Sequence, residues 1–324
     1  MPNQDQIERV PAATQPLPVE IEATAPAFVV ADLERVLTTR QLAWRRFKRH
    51  KIAIASLIVL LVLGLATLLV PLISQYDVAQ LNLTHRLEGP GGGHWLGTDV
   101  LGRDEFTRVL YGGRISLLVG VSVAFTAGLI GAVVGAIAGY YGRWVDNILM
   151  RVTDLFLAIP FLVVLLIGAQ FLAKFLPGGS LFHTVLILSL FFWMPNARIV
   201  RGMFLSLKEK EFVEAARASG ATDSRIIFYH MLPNAMGPII VNATLGVAAA
   251  ILTESALSFL GFGVQPPTPT WGNLLNDARG LIKISPGLTW FPGLAILLSV
   301  LCVNFFGDGL RDALDPHQKL GASG

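Results

Sequence analysis

The chain has 324 residues, of which 53% are hydrophobic and 15% are charged, and its formal net charge is +3. A mean hydropathy of +0.60 excludes a water-soluble domain of this length and makes a lipid bilayer the expected solvent. The positive charge does not indicate nucleic-acid binding, because no basic stripe is interleaved with aromatic residues, and the single cysteine, Cys302, excludes an intrachain disulfide and a thiolate metal cluster.

The N-terminal region, residues 1–40, is rich in Pro, Ala, Glu and Thr and shows little periodicity. This composition predicts a disordered or weakly ordered tail. A basic interfacial lead-in follows at residues 41–51, and apolar residues recur among charged ones over residues 33–47. The pattern predicts either an amphipathic helix on the inner membrane surface or a solvated helix that extends the first span.

Six segments are long enough and apolar enough to cross a hydrocarbon core, which needs about 20 residues. We therefore expect an all-α, polytopic membrane protein with six transmembrane helices, whose membrane domain occupies residues 52–317 and precedes a short tail at 318–324. The fourth segment contains Pro195, where we expect a kink. The six segments are residues 52–73, 115–140, 155–172, 181–200, 235–259 and 288–306.

Basic residues indicate how the chain crosses the membrane. Five of them crowd the entry to the first span, which predicts a cytoplasmic N-terminus by the positive-inside rule. Six crossings return the C-terminus to the cytoplasm. The expected loops are an outer loop at 74–114, a cytoplasmic loop at 201–233 and an outer loop rich in Gly and Pro at 260–287. The five basic residues are Arg45, Arg46, Lys48, Arg49 and Lys51.

Three glycines, Gly131, Gly135 and Gly139, recur every four residues in the second span. Small residues at this spacing form a groove for another helix, because lipid provides no hydrophobic drive for helix association. The pattern therefore predicts tight helix packing. The neighbouring helix is either another span of this chain or a span of a second subunit.

The cytoplasmic loop contains the most informative stretch of the chain, residues 214–233. Residues 208–219 can form a helix, with Gly220 at the left-handed position after its end. A second short helix, capped by residue 222 or 223, is expected to end before Pro233. Ala215, Ala216 and Ala218 leave little side-chain bulk around Glu214 on the first helix, so another protein could approach its backbone closely. The loop is expected to be a docking surface.

This loop resembles the EAA loop of ABC-importer permeases, which implies that it couples the chain to ATPase subunits. That family usually has an apolar residue where this chain has His230, and a histidine there is common in the peptide-uptake branch. The residues that carry the resemblance are Glu214, Ala215, Ala216, Gly220, Leu232 and Pro233.

Three other stretches, at residues 94–104, 257–272 and 307–316, are similar to the dipeptide and oligopeptide permeases of the C type. The resemblance covers residues 41 to 317 and implies the type I ABC importer permease architecture. It also implies a homologous second permease subunit, two ABC ATPase subunits and an extracytoplasmic substrate-binding protein. The protein is then expected in the cytoplasmic (inner) membrane, in contact with membrane lipids.

The chain has no Gly-Lys dipeptide, which excludes a Walker A loop for nucleotide phosphates. No cofactor is therefore expected in this chain, and ATP and magnesium are expected on partner subunits. No nucleophile and base set indicates an enzyme. The expected cargo is a di- or oligopeptide; a nickel chelate, glutathione or a small saccharide are alternatives, and a secondary transporter is a further one.

Several polar and aromatic residues near the predicted outer ends of the spans are candidates for function. Glu254 is either satisfied within the protein or lines the route of a peptide. Residues 104–111 predict a short surface helix that either holds the outer gate or contacts substrate or binding protein. Trp271 is expected at the membrane interface. Together with Asn273 and Asn276 it is a candidate contact for the binding protein.

Overall fold

The computed structural model describes residues 39–315, so the predicted N-terminal tail lies outside them except for residues 39 and 40, and the predicted C-terminal tail lies outside them entirely. The described part is helical with two isolated β-bridges, which confirms the all-α expectation. The helices are α1 (Thr39–Arg49), α2 (Lys51–Leu68), α3 (Val70–Ile73), α4 (Glu105–Tyr141), α5 (Arg143–Ala158), α6 (Phe161–Phe175), α7 (Ser180–Lys208), α8 (Glu211–Ala218), α9 (Asp223–Arg225), α10 (Leu232–Phe259), α11 (Trp271–Ala278) and α12 (Gly287–Leu314).

Five helices of the described residues are long and apolar enough to cross a membrane, and a sixth span is counted if α5 and α6 form one bent unit. The third span predicted at residues 155–172 is not one continuous helix, because α5 and the first part of α6 meet at 93°. The break lies at Ile159 and Pro160. A proline lacks an N–H group and disfavours helical backbone in the residue before it, so the helix ends there.

The second span begins earlier than predicted. Residues 105–111 are the first two turns of α4 and not a separate surface helix. Asp104 caps this helix, since its Oδ2 atom accepts a hydrogen bond from the backbone N–H of Thr107 at 2.8 Å. The cap removes one of the unsatisfied donors at a helix start and fixes where α4 begins.

Helix α4 packs against α7 more extensively than any other pair of helices packs. A Cβ atom added at Gly131 would lie 2.5 Å from the Cβ atom of Asn196, and one at Gly139 would lie 2.6 Å from that of Phe204. A Cβ atom added at Gly135 would likewise clash with the carbonyl oxygen of Ala197. The helix that fills the glycine groove is therefore α7 of the same chain.

The bundle has two ends with different polar structures. We name the end with residues 74–104 and α11 the outer end, and the end with α1, α8 and the last turns of α12 the inner end, after the predicted orientation. Helix α1 does not extend into solvent, because Phe47 is buried and its ring lies 5.7 Å from that of Phe306 on α12. The lead-in is therefore part of the packed bundle.

Candidate functional site

At the inner end, α8 lies on the surface and is anchored by one residue. Val213 is fully buried, whereas Glu214 and Ala215 are exposed and Ala216 is half-buried. Acidic residues occupy the first turn and Arg217 the last, which suits the helix dipole. The helix thus exposes a face with small side chains and one acidic residue, Glu214, which no described residue covers.

The turn after α8 depends on Gly220, whose φ of +75° is left-handed. The backbone N–H of Ala221 donates to the carbonyl oxygen of Ala216 at 3.1 Å and closes the helix end. A residue with a Cβ atom is disfavoured in this conformation. The chain then reverses toward the membrane, as the sequence pattern predicted.

The second arm of the loop is not a short helix that ends before Pro233. From Asp223 the chain stays helical as far as Phe259, through a π-helical segment at Ile226–Met231. Leu232 is half-buried and Pro233 exposed, both in the first turn of α10. The backbone N–H of Leu232 donates to the carbonyl oxygen of Ile227, so the π-helical segment continues directly into α10. A force on this arm therefore acts directly on a membrane helix.

A polar contact joins the loop to α4. The hydroxyl of Tyr140 donates a hydrogen bond to Oδ1 of Asp223 at 2.6 Å. The guanidinium of Arg217 lies 5.5 Å from the centre of the same tyrosine ring, within the range of a cation–π interaction. Tyr140 therefore contacts both arms of the loop at once.

Apolar side chains form the base of the loop. The buried cluster joins the end of α4, the end of α7, the anchor of α8 and the start of the second arm. Because these buried side chains are closely packed, the loop is held rigidly against the ends of α4 and α7. The cluster includes Tyr140, Phe204, Val213, Ile226, Ile227 and Met231.

Helix α5 is tied to α7 near the same end by two ion pairs. Arg201 donates to Oδ2 of Asp146 at 2.6 Å, and Arg198 pairs with Asp154. The second pair is exposed and adds little stability. The first is more enclosed, so it is the stronger link between the bent helix pair and α7.

Glu254 is fully buried inside this chain. Its carboxylate accepts hydrogen bonds from Ser258 at 2.7 Å and from Ser116 at 3.0 Å. The hydroxyl of Ser116 also accepts the backbone N–H of Trp271 at 3.2 Å. The network joins α4, α10 and α11. The structure favours the reading in which Glu254 is satisfied within the protein.

Two of the three candidate contacts for a binding protein do not lie on the outer surface. Trp271 is fully buried, and its indole N–H donates to the carbonyl oxygen of Val109 at 2.9 Å. Asn273 is also buried, because it forms the reciprocal cap of α11 with Thr270. The interfacial placement of Trp271 was wrong. Asn276 is exposed, and its contact with a binding protein stays a prediction.

The outer end contains a buried charge cluster that sequence reasoning did not find. Asp99 accepts hydrogen bonds from the Nε atom of Arg103 at 2.6 Å and from Arg108. Arg108 also donates to Oδ2 of Asp277, in the last turn of α11, at 3.2 Å. Burial acts to raise the pKa of Asp99, but the backbone N–H of Arg103 and the two guanidinium charges hold it below its ordinary value.

The stretch at residues 94–104 contributes several of the buried polar residues at the outer end. His94 is buried, and its Nδ1 atom lies 2.9 Å from Oδ1 of Asp104, the cap of α4. The spacing gave no indication of a shared cluster, because Arg108 and Asp277 are 169 residues apart. No group of three or more potential ligands could hold a metal ion among residues 39–315.

Two family profiles match the sequence. "Binding-protein-dependent transport system inner membrane component" matches residues 131–320, and "N-terminal TM domain of oligopeptide transport permease C" matches residues 38–90. The first profile covers the α8 loop and the glycine groove. The second covers α1 and α2.

Individual proteins give the same result. The dipeptide transport system permease protein DppC of Bacillus subtilis is 44% identical over 286 residues, which is 87% of each chain. The oligopeptide transport system permease protein OppC of Mycobacterium tuberculosis is 43% identical over 280 residues, 86% of this chain and 95% of that one. The glutathione transport system permease protein GsiD of Pectobacterium atrosepticum is 42% identical over 282 residues, 85% and 90%.

A solved structure shares the fold at low sequence similarity. An inward-facing form of the MetNI methionine ABC transporter superposes with a TM-score of 0.50 and 19% identity, over 64% of this chain and 96% of the other. At this identity the match concerns the helix arrangement alone.

Proposed function

This chain belongs to the family of binding-protein-dependent transport system inner membrane components, and we propose that it forms half of the translocation pathway of an ATP-driven importer of di- or oligopeptides. It is a permease subunit of the peptide branch of ABC importers. The second half would be a homologous permease. Two ABC ATPase subunits would supply ATP and magnesium, and an extracytoplasmic binding protein would deliver the cargo.

The observation that carries the proposal is the construction of α8. The face of α8 with Glu214 and Ala215 is exposed, and Val213 on its opposite side is buried. The second arm of the loop, from Asp223, continues without a break into α10. A partner that moved α8 would therefore move a membrane helix. We propose that closure of the ATPase pair drives this movement and switches the spans between inward-open and outward-open states.

The proposed orientation follows from the same assignment. Helix α8 must face the cytoplasm, where ATP is available, so both termini lie in the cytoplasm and the membrane is the inner one. The basic residues before α2 agree with this orientation. Peptide cargo is proposed from the names of the dipeptide and oligopeptide relatives; glutathione is the second candidate, because one relative is named for it.

The experiment is a charge reversal in the assembled, reconstituted importer. A central interface residue contributes at least about 2 kcal/mol, or roughly thirtyfold in affinity. We expect Glu214→Lys to reduce ATP-driven peptide uptake at least tenfold while the complex stays in the membrane. Asp308→Lys is the matched control, since Asp308 is an exposed acid of α12 at the same end.

Two results would contradict the proposal. One is normal uptake by a stably expressed Glu214→Lys protein. The other is transport by this chain alone, without ATPase subunits, which would favour a secondary transporter. Co-purification with two nucleotide-binding subunits is expected instead.

A further inference from the structure

An apolar groove at the inner end is not explained by the proposed function. It lies between α1, α2 and α12 and has a volume of about 400 Å³, within the range of about 300–1,000 Å³ of ligand pockets. Its lining side chains are all apolar. They include Trp44, Phe47, Leu57, Phe306, Leu310 and Leu314.

The groove runs from the helix ends into the depth of the membrane. Leu57 lies six residues after Lys51, the first residue of α2, and Phe306 lies eight residues before Leu314, the last residue of α12. At a rise of about 1.5 Å per residue these positions are about 9 and 12 Å from the helix ends. The groove therefore spans the depth from a lipid headgroup to the upper part of an acyl chain.

Exposed positive charge lies on α1 beside the groove. Arg45, Lys48 and Arg49 are exposed on α1, and the Nζ atom of Lys48 lies 5.1 Å from the centre of the Trp44 ring. Six basic residues stand against three acidic ones in the flanking segments, residues 45–51 and 308–315. These are Arg45, Arg46, Lys48, Arg49, Lys51 and Arg311 against Asp308, Asp312 and Asp315.

Part of that charge is already compensated within the chain. The Nη1 atom of Arg46 donates to the carbonyl oxygen of Asp315 at 2.5 Å, and the Nε2 atom of His50 lies 3.7 Å from Asp312. These contacts hold α1 against the end of α12. Arg45, Lys48 and Arg49 take no part in these two contacts, and their side chains are exposed.

We propose that this groove is a binding site for one anionic phospholipid. An acyl chain lies along Trp44, Phe47 and Phe306, and the phosphate contacts the cations of α1. An amphiphile fits because the apolar groove lies beside the exposed cations of α1. An extended protein segment does not fit, because the apolar lining would leave its backbone polar groups without partners.

The test uses fluorescence quenching in the full-length importer reconstituted into vesicles. Lipids with brominated acyl chains quench a tryptophan that they touch. The signal of Trp44 is the difference between the protein and a Trp44→Phe variant, which removes the contribution of the other five tryptophans. Brominated phosphatidylglycerol is compared with brominated phosphatidylcholine at equal mole fractions.

We expect phosphatidylglycerol to quench Trp44 at a far lower mole fraction than phosphatidylcholine does. Each Lys or Arg near the surface strengthens association with anionic lipid about fivefold, so three give roughly a hundredfold preference. The combined variant Arg45→Gln, Lys48→Gln and Arg49→Gln should abolish that preference. Ala43→Phe, which narrows the groove and keeps every charge, should reduce quenching by both lipids.

A matched control neutralises three basic residues elsewhere at the inner end, Lys208, Lys210 and Arg225, and should leave the preference unchanged. Equal quenching by the two lipids would overturn the proposal, because the groove would then hold only the general lipid layer. Absence of quenching by either lipid would overturn it too, since residues 1–38 or another subunit would then fill the groove.

Discussion

The two ends of this bundle differ in whether their main polar side chains are buried and paired or exposed. At the outer end, Asp99, Arg103 and Arg108 are largely buried and bind one another. At the inner end, Glu214 and Ala215 are exposed, and the carboxylate of Glu214 makes no hydrogen bond or ion pair with residues 39–315. The outer end is closed on itself, whereas the inner end presents a surface that another protein can complete.

Helix α4 connects these two ends. It begins at the Asp104 cap beside the outer charge cluster and ends next to Tyr140, which contacts both arms of the inner loop. Between them the glycine groove holds α4 against α7. Under the proposed function, the closed outer end would give α4 a fixed base while a movement at α8 is passed to the spans. The predictions below weaken each part of this arrangement in turn.

The largest effect on stability is expected at the outer end. Asp99→Asn removes the buried carboxylate that Arg103 and Arg108 share and leaves Arg108 with only the exposed Asp277; loss of one member of a buried pair costs about 3–5 kcal/mol. Hydrogen exchange at residues 82–104 should rise strongly. Asp77→Asn is the control, because Asp77 is exposed in the same loop. Equal exchange in the two variants would mean that the cluster does not hold the outer end.

The same cluster predicts a pH dependence. The pKa of Asp99 is lowered in the folded state, so its stabilising effect is complete above the ordinary aspartate value of about 3.9 and is lost as the pH falls through the lower folded value. The contribution of Asp99 to the protection of residues 82–104 should be complete above about pH 4 and be lost as the pH falls further. Asp99→Asn should remove that contribution, and an unchanged pH profile would contradict the assignment.

The connection between the ends is tested at the glycine groove. A Cβ atom at Gly135 would meet the backbone of Ala197, whereas one at Gly128 would lie 3.6 Å from the Cβ atom of Ala243, an ordinary contact. Gly135→Ala should destabilise the protein by about 1–3 kcal/mol, measured by thermal unfolding in detergent. Gly128→Ala should have little effect. Similar losses in the two variants would show that the close α4–α7 contact is not special.

The smallest effect is expected where α4 meets the loop. Tyr140→Phe removes the hydrogen bond to Asp223 and keeps the ring, at a cost of about 1 kcal/mol, or roughly fivefold in an equilibrium. We expect less peptide taken up per ATP hydrolysed, with assembly retained. Tyr141→Phe is the control, since Tyr141 is exposed. An unchanged ratio for Tyr140→Phe would mean that the contact plays no part in coupling.

Much of the fold was predictable because long apolar segments have few alternatives in a membrane. The six predicted segments lie in helices apart from short breaks, the largest at Ile159 and Pro160, and Gly220 lies in the left-handed conformation predicted for it. The break at Pro160 was missed because the apolar pattern continues on both sides of it. In a single sequence, nothing distinguishes a tryptophan at a lipid interface from a buried one such as Trp271.

Contacts between distant residues could not be predicted in the same way. Tyr140 and Asp223 are 83 residues apart, and a tyrosine at the end of a span also fits a simple interfacial anchor. Their contact depends on the packing of three helices, which the apolar pattern does not specify. The α8 surface was found from its spacing and small residues, but the continuity of the loop's second arm, from Asp223, with α10 required the structure.

The most direct test of the account is a cross-link from α8 in the assembled importer. The one cysteine, Cys302, is buried, so Ala215→Cys introduces an exposed thiol, and Asn276→Cys provides an outer-end comparison. We predict that a thiol-directed photo-cross-linker at position 215 gives an adduct with an ATPase subunit, whose yield changes when ATP binds, and that position 276 gives none. Lack of an ATPase adduct at position 215 in a transporting complex would contradict the account.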